Sequence, residues 1–489
     1  MNPPCTGIQE KRINLWERLK TEKAKGGKRK RGLTKGLFSS TKLEKIRKKV
    51  VQIKQQKISS PILMIREVIK DLNFDARTER VPRVILKRIV CCMEEVNDNR
   101  KQGMIDYPLP YILLLAFLAI LSGAETWVDM ETFSQAYKTK LNGILPQYKK
   151  IGTPSHDTYR RVIGLINPLE LQMATSLFLV QELDQLKKAL GIEDKGKRHY
   201  SLDGKEQKGT GRKYGTDQKI GNLQTLHLYD VTNGICLHSV PIETKTNEIP
   251  TAQNLLAIIA LKNCIVTFDA LNTQKDTVRV IIDGQGAYVG GLKGNQQLFY
   301  EEVVLFFSEE ELSRIKKRGD CYRSYIEKAH NRIEKRSYYM TRNIKWFADL
   351  DKWAGLKTFI CYVVETEDLV SGKQTKENRY YIASLTDIEL CADAIRSHWG
   401  IENQLHWHLD VTFAEDDNTT IDKNAFNNLS ILNKMALSLL KLIQPIHKVG
   451  LRVIRKKFGW DLINQLTQLL SLLDEEQIEK ALLNSQQKA

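Results

Sequence analysis

Tyr200-Ser201-Leu202-Asp203-Gly204-Lys205 is the stretch at which the chain changes character. Before it, from about residue 60 to residue 190, apolar residues recur at helical spacing; from His199 onward they alternate or form short apolar blocks. The stretch itself reads as a strand ending in a glycine turn, with Asp203 at its carboxyl end. Two further strands follow at 225–230 and 235–240, joined by Thr232-Asn233-Gly234, a hairpin signal because Asn-Gly favours left-handed turn backbone. Pro250 opens a helix through Leu261. Residues 264–270 are a short apolar strand carrying Asp269 at its end, 274–282 a second helix, and 287–292 another strand closed by Lys293-Gly294-Asn295. Three antiparallel-type strands followed by alternating helix and strand make an α/β fold.

Outward from this block, residues 306–385 read mainly as strands, near 337–340, 358–365 and 379–384, the last two flanking Ser371-Gly372-Lys373. Helices resume at 389–409, and Arg396-Ser397-His398-Trp399-Gly400-Ile401-Glu402-Asn403-Gln404-Leu405-His406-Trp407 lies within that span. At 3.6 residues per turn, Ile395, Trp399, Leu405 and Leu409 share an apolar stripe, and Glu402 falls on it. A carboxylate facing a core is costly unless a cation or strong donors receive it. Two receivers fit this position, a buried Lys or Arg and a metal ion. Residues 427–440 and the segment from Val449 continue the helical pattern, increasingly polar from Asp474.

Upstream, residues 1–60 hold 18 Lys and Arg against 4 Glu, so most of the chain's net charge of +17 lies there. Lys28, Arg29, Lys30 and Arg31 form the densest part of this arm, suited to neutralising phosphates without reading bases. Apolar residues at helical spacing, Ile62, Ile65, Val68 and Ile69 and then Val84, Ile85 and Ile89, predict a small helical unit over 60–99. The apolar run at 112–121 predicts a buried helix, too short to span a bilayer. Gly152-Thr153-Pro154-Ser155-His156-Asp157-Thr158 reads as a helix start, with Arg160 and Arg161 just inside it, placed for phosphates or base edges. A helix-turn-helix and an ordinary helix with exposed arginines both fit that pattern.

At 489 residues the chain is long enough for two to four domains, and 42% hydrophobic with 27% charged residues is a soluble globular composition. No cationic-then-apolar leader opens it. The eight cysteines contain no CxxC pair, which fits reduced thiols in a cytoplasmic protein and argues against structural zinc.

Asp203 and Asp269 stand at the carboxyl ends of strands, the edge of an α/β sheet where ligands collect. With Glu402 they offer three carboxylates, a donor set for hard divalent cations such as Mg2+ or Mn2+. Two such ions roughly 3.5–4 Å apart support phosphodiester chemistry, and a basic arm makes nucleic acid the natural substrate.

Several segments carry a resemblance: residues 152–162, 201–204, 245–250, 267–275, 292–296, 330–336, 379–385, 394–407 and 409–417. In this order they are similar to the DDE transposases of bacterial insertion sequences, specifically the H-repeat-associated (ISAs-type) group, over roughly residues 100–445. The resemblance implies an RNase H-like catalytic core with a β-rich insertion between the second Asp and the Glu. It implies Asp203, Asp269 and Glu402 as the catalytic, metal-binding triad, holding Mg2+ or Mn2+ in a two-ion arrangement. It also implies double-stranded DNA as partner, both element ends and target, with a homodimer holding two ends in a synaptic complex in the bacterial cytoplasm, associated with the nucleoid and not a membrane. One departure is visible. Related cut-and-paste enzymes carry Tyr, Arg and Lys at offsets −7, −4 and +7 from the Glu, where this chain has Ile395, His398 and Leu409.

Arg396 and His398 are candidates to take over phosphate contacts, His406 for a phosphate or supporting role, and Lys293, Arg332 and Arg336 for further DNA contacts. Solvated surface charge fits the same residues. Trp346 and Trp353 fit core packing better than base stacking. Asp416 and Asp417 read as a solvent-facing pair more than as ligands. The expected organisation is a basic arm and small helical region at 1–99, a helical and DNA-binding domain at 100–195, and the first part of the core at 196–299. A β-rich insertion at 300–385, the second part of the core at 386–445 and a helical end at 446–489 complete it. The expected function is a DNA transposase that binds terminal repeats, cleaves there and transfers strands. A nuclease of the same fold without strand transfer, and a non-catalytic DNA-binding derivative, are the alternatives.

Overall fold

Along Arg198–Gln207 (β1) two kinds of residue alternate. Tyr200 and Leu202 are buried apolar positions, whereas His199, Ser201, Asp203, Lys205 and Gln207 are the odd-numbered polar ones. Successive side chains of a strand point to opposite faces, so β1 has one side for a core and one for a site. The strand runs through Gly204 to Gln207 rather than turning there, because Gly204 to Gln207 keep pairing with Leu226 to Leu223 of the neighbouring strand. The computed structural model describes residues 61–70, 83–192, 197–214, 218–242, 247–329 and 331–479, and the basic arm with Lys28, Arg29, Lys30 and Arg31 lies outside the described residues.

Helices precede the sheet: Pro61–Ile69 (α1), Arg83–Glu94 (α2), Leu109–Leu121 (α3), Trp127–Ile144 (α4), His156–Leu165 (α5) and Pro168–Ala189 (α6). The sequence of α3 is apolar all round, and every residue from Tyr111 to Leu121 is buried, as an all-apolar helix requires in water. At the start of α5 the Ser155 hydroxyl accepts the Thr158 amide at 3.3 Å, capping the helix where the Pro-Ser pattern predicts.

After β1 come the short pair Arg212–Tyr214 (β2) and Gln218–Ile220 (β3), then Leu223–Asp230 (β4), Ile235–Ile242 (β5), Glu248–Ile258 (α7) and Cys264–Phe268 (β6). Lys275–Asp283 (α8), Ala287–Leu292 (β7), Gln297–Phe306 (α9) and Glu309–Arg318 (α10) follow. Four long strands, Tyr322–Ala329 (β8), Arg332–Thr341 (β9), Thr358–Asp368 (β10) and Gln374–Ala383 (β11), lead to Ile388–His398 (α11). The remaining helices are Trp407–Val411 (α12), Lys423–His447 (α13), Leu451–Trp460 (α14) and Leu462–Ser471 (α15).

The main sheet has the order β5-β4-β1-β6-β7-β11-β10-β9-β8. β5, β4 and β1 are antiparallel neighbours; β1, β6 and β7 run parallel. Three antiparallel strands with two parallel ones added beside the first is the RNase H-like arrangement, and the fold is α/β with that core. β6 is buried along its whole length, as a central parallel strand covered on both faces should be. Gly234, with φ of +72°, makes the β4–β5 hairpin turn.

Residues 300–385 extend the core sheet instead of building a second one, with Tyr381 of β11 beside Gly291 of β7. They also begin with helix, where the sequence pattern favoured strand. Ser308 caps α10 by accepting the Glu311 amide at 3.3 Å, and three glutamates at its start with Lys316, Lys317 and Arg318 at its end match the helix dipole. Trp353 is buried, and Trp346 stacks on Phe306 with ring centroids 5.1 Å apart, so both belong to packing.

α13 threads the middle of the molecule, buried from Ala425 to Ile443. It packs against α3, α5, α6 and β5, so the early helices and the sheet share one central rod. By length and composition this helix could cross a membrane, yet most of it is inside the fold.

Candidate active site

Asp203 lies on the polar face of β1, and Asp269 follows directly after β6, the parallel strand next to it. The loop after Asp269 is fixed by hydrogen bonds. Asn272, fully buried, gives its backbone N–H to Asp269 Oδ1 at 3.1 Å and its Nδ2 to the same oxygen at 3.2 Å. Thr273 Oγ1 donates to Gly291 O at 2.6 Å and lies 3.0 Å from the Asp269 carbonyl oxygen, and Asn295 Nδ2 holds the Ala270 carbonyl at 2.7 Å. The carboxylate therefore projects from a rigid turn at the sheet edge.

The Asp203 carboxyl is strongly perturbed. Burial, and then the negative fields of Asp269, Glu402 and Glu248, push its pKa up to about 8. The fields of Asp269 and Glu402 both reach Asp203, as does that of a carboxylate outside the sequence reading, Glu248. An all-oxygen, all-anionic donor set suits a hard divalent cation. Among the described residues no three such groups stand at metal-holding spacing.

Glu402 does not sit where helical periodicity puts it. Ile401–His406 form one π-helical turn, in which the Trp407 N–H reaches back to Glu402 O. The extra residue in that turn shifts the phase, so Ile401, Leu405 and Leu409 are buried while Glu402, Asn403 and Gln404 face outward. The expected buried position of Glu402 is thereby corrected, and a buried ion pair at this residue is ruled out. Partial burial of its carboxyl raises its pKa, against the pull of Arg379 and Lys293. The carbonyl of Gln404, exposed by the wide turn, accepts from the buried Nζ of Lys441 on α13. Single π turns recur at functional sites, and this one is propped from the core.

Histidines line the inner wall. His398 Nδ1 lies 2.9 Å from Thr267 Oγ1, as does His199 Nε2, and Ser201 Oγ is 3.0 Å from the same hydroxyl. His406 Nδ1 is 3.7 Å from Asp203 Oδ2, and its Nε2 is 2.9 Å from His227 Nδ1. Burial, more than any neighbour, lowers the pKa of His398 to about 4 and of His406 to about 3. Both rings are neutral near pH 7, and His406 stands behind the Asp203 carboxylate while His398 is held on the Thr267 hydroxyl. His398 is thus directed into the protein and not toward DNA backbone. Lys205, next on the polar face, pairs with Asp410 and with Asp416 at 3.4 Å, so Asp416 is an ion-pair partner.

The remaining basic candidates divide by their partners. Arg160 is exposed and paired with Asp157 at 2.8 Å; Arg161 and Lys293 are exposed. Arg332 is exposed, 3.9 Å from Asp368. Arg396 is exposed, 3.4 Å from Glu327. Arg336 is largely covered and held by both Glu327 and Glu334, which leaves it little to offer a phosphate. Sequence reading missed Arg379, which lies on β11 with its guanidinium 5.0 Å from the Trp399 ring centroid. With Lys293 it supplies the positive field at Glu402 that the −4 and +7 helix positions lack. It also missed Glu248 and Asn272; an acid in the first turn of a helix and an Asn after a strand are ordinary enough to pass unnoticed.

Comparison with known proteins adds the family. The description "Transposase DDE domain" matches residues 194–439, and "DDE_Tnp_1-associated" matches residues 90–179. The chain is 29% identical over 384 residues to "H repeat-associated putative transposase YhhI" of Escherichia coli K12, covering 77% of this chain and 96% of that protein. It is 31% identical over 373 residues to "Putative transposase YncI" of Escherichia coli O157:H7, covering 74% and 89%. A piggyBac transposase synaptic complex with hairpin DNA, at 12% identity and a TM-score of 0.34 over 88% of this chain and 86% of that one, is too distant to carry an argument. On the family match over half the chain, following its expected strand order, this protein belongs to the DDE transposases, in the H-repeat-associated group of bacterial insertion-sequence proteins.

Proposed function

We propose that the protein binds the terminal repeats of its element, cuts there and joins the freed 3′-ends to target DNA. The observation that carries this reading is the placement of Asp203 on β1 beside Asp269 at the end of the neighbouring parallel strand, with the fields of Asp269, Glu402 and Glu248 reaching the buried Asp203 carboxyl. Asp203, Asp269 and Glu402 would hold Mg2+ or Mn2+, two ions in the full site, which supply Lewis-acid polarisation and a nucleophilic oxygen at neutral pH. Asn272 and Thr273 fix the direction of the Asp269 carboxylate, and His406 backs Asp203. Arg379 and Lys293, beside Glu402, suit the scissile phosphate. Arg160, Arg161, Arg332 and Arg396 are exposed and would follow the duplex, as would the arm at Lys28, Arg29, Lys30 and Arg31. Two ends handled together call for a dimer in the synaptic complex, working on bacterial DNA in the cytoplasm.

The test uses the DNA flanking the gene as donor, a plasmid as target, and Mg2+. The reading expects covalent joining of donor 3′-ends to target strands, lost in Asp269→Asn. Cutting without joined products would make the protein a nuclease. A gel shift with neither product would make it a DNA-binding derivative.

A further inference from the structure

We infer that Glu248 is a fourth acidic ligand of the metal site, set against the Asp203–Asp269 pair by Asn272 and by the missing side chain of Gly204. The inference rests on the function proposed above and names a ligand which the three-carboxylate pattern does not contain.

Glu248 comes from a different element than the other three, the first turn of α7. Its carboxylate lies directly over β1. A Cβ at Gly204 would stand 3.0 Å from its Oε2 and 3.1 Å from its Oε1, so a side chain there would make the carboxylate give by a few tenths of an ångström. On the other side, Asn272 Nδ2 donates to Glu248 Oε1 at 3.0 Å and to Asp269 Oδ1 at 3.2 Å. One buried amide thus ties the two carboxylates to a common donor. Asn272 Oδ1 is itself buried and without a hydrogen-bond partner among the described residues, so the amide is oriented by these two acidic acceptors.

An amide donates hydrogen bonds but carries no charge, so it positions the carboxylates without neutralising them. Gathering Asp203, Asp269 and Glu248 costs repulsion that a cation removes.

The experiment is Mn2+ binding to the purified full-length protein, with free ion read by electron paramagnetic resonance and folding checked by circular dichroism. Glu248→Gln should weaken Mn2+ binding by roughly 10–100-fold, in the same direction as Asp203→Asn and Asp269→Asn. Gly204→Ala keeps every charge but displaces the Glu248 carboxylate, and should weaken binding by a smaller factor. If Glu248→Gln and Gly204→Ala bind as wild type while the aspartate variants fail, Glu248 is only a partner of Asn272. The inference then falls and the proposed function stands. If the aspartate variants also bind as wild type, or wild type binds no Mn2+, the metal site itself is wrong and both readings fall.

Discussion

Lys441 should make this protein more stable in alkali, and its replacement by methionine should reverse the ranking of the two proteins with pH. The amine is fully enclosed, donates to the Gln404 carbonyl and to Tyr229 Oη at 3.2 Å, and burial brings its pKa down from 10.5 to about 7. In the unfolded chain it keeps its proton up to about 10.5. Between pH 7 and 10.5 the unfolded state therefore binds more protons, and stability rises with pH. Integrating the difference gives on the order of 3 kcal/mol between pH 7 and pH 10. Lys441→Met removes that dependence but leaves a buried carbonyl without its donor, a cost of about 1–3 kcal/mol at every pH. The variant should be the more stable protein at pH 7 and the less stable one at pH 10. Urea unfolding followed by circular dichroism at pH 7, 8.5 and 10 measures both, and comparing the two proteins cancels the other titrating groups. Parallel pH profiles would refute the reasoning, since they would mean that Lys441 stays charged in the fold.

Three further outcomes are expected. Glu402→Gln, at an exposed position, should change unfolding free energy by no more than about 0.5 kcal/mol while strand cleavage falls by orders of magnitude; a large stability loss with cleavage retained would end its assignment to the site. Arg455→Met should cost about 3–5 kcal/mol, because the buried guanidinium donates to Ile120 O at 2.8 Å, Ala124 O at 2.7 Å and Thr412 O and pairs with Glu125; a shift in urea midpoint worth less than about 1 kcal/mol would show those carbonyls find other donors. Deleting residues 1–60 should flatten the salt dependence of DNA binding by roughly 0.9 for each phosphate the arm neutralises, and an unchanged slope in the titration would mean the arm is not engaged.

The central strands were legible because their periodicity is local. Alternation, the Asn233-Gly234 turn and the apolar block ending at Asp269 each need only neighbouring residues. β8 was not legible: Tyr322–Ala329 is an edge strand rich in charge and largely exposed, and edges carry charge to discourage further pairing. Asp203 and Asp269 stood out as acids placed within apolar strand patterns. The outward turn of Glu402 did not, because a helical count assumes 3.6 residues per turn. The π turn that breaks the count has its exposed carbonyl received by Lys441, a residue 37 positions downstream. Glu248 needs three-dimensional knowledge of Gly204 and Asn272, neither of which lies near it in sequence.

The spread of the four acids along the chain has a consequence during synthesis. Asp203, Glu248 and Asp269 can meet once β6 has joined β1, but Glu402 is carried by a turn braced from α13, which ends at His447. At ribosomal speeds of about 5–20 residues per second, roughly 9–36 seconds of translation separate Asp269 from the end of that brace. Throughout that interval the turn that carries Glu402 is unmade or without its complete brace. A message truncated before α13 would likewise yield a chain without the Lys441 brace beneath the turn that carries Glu402.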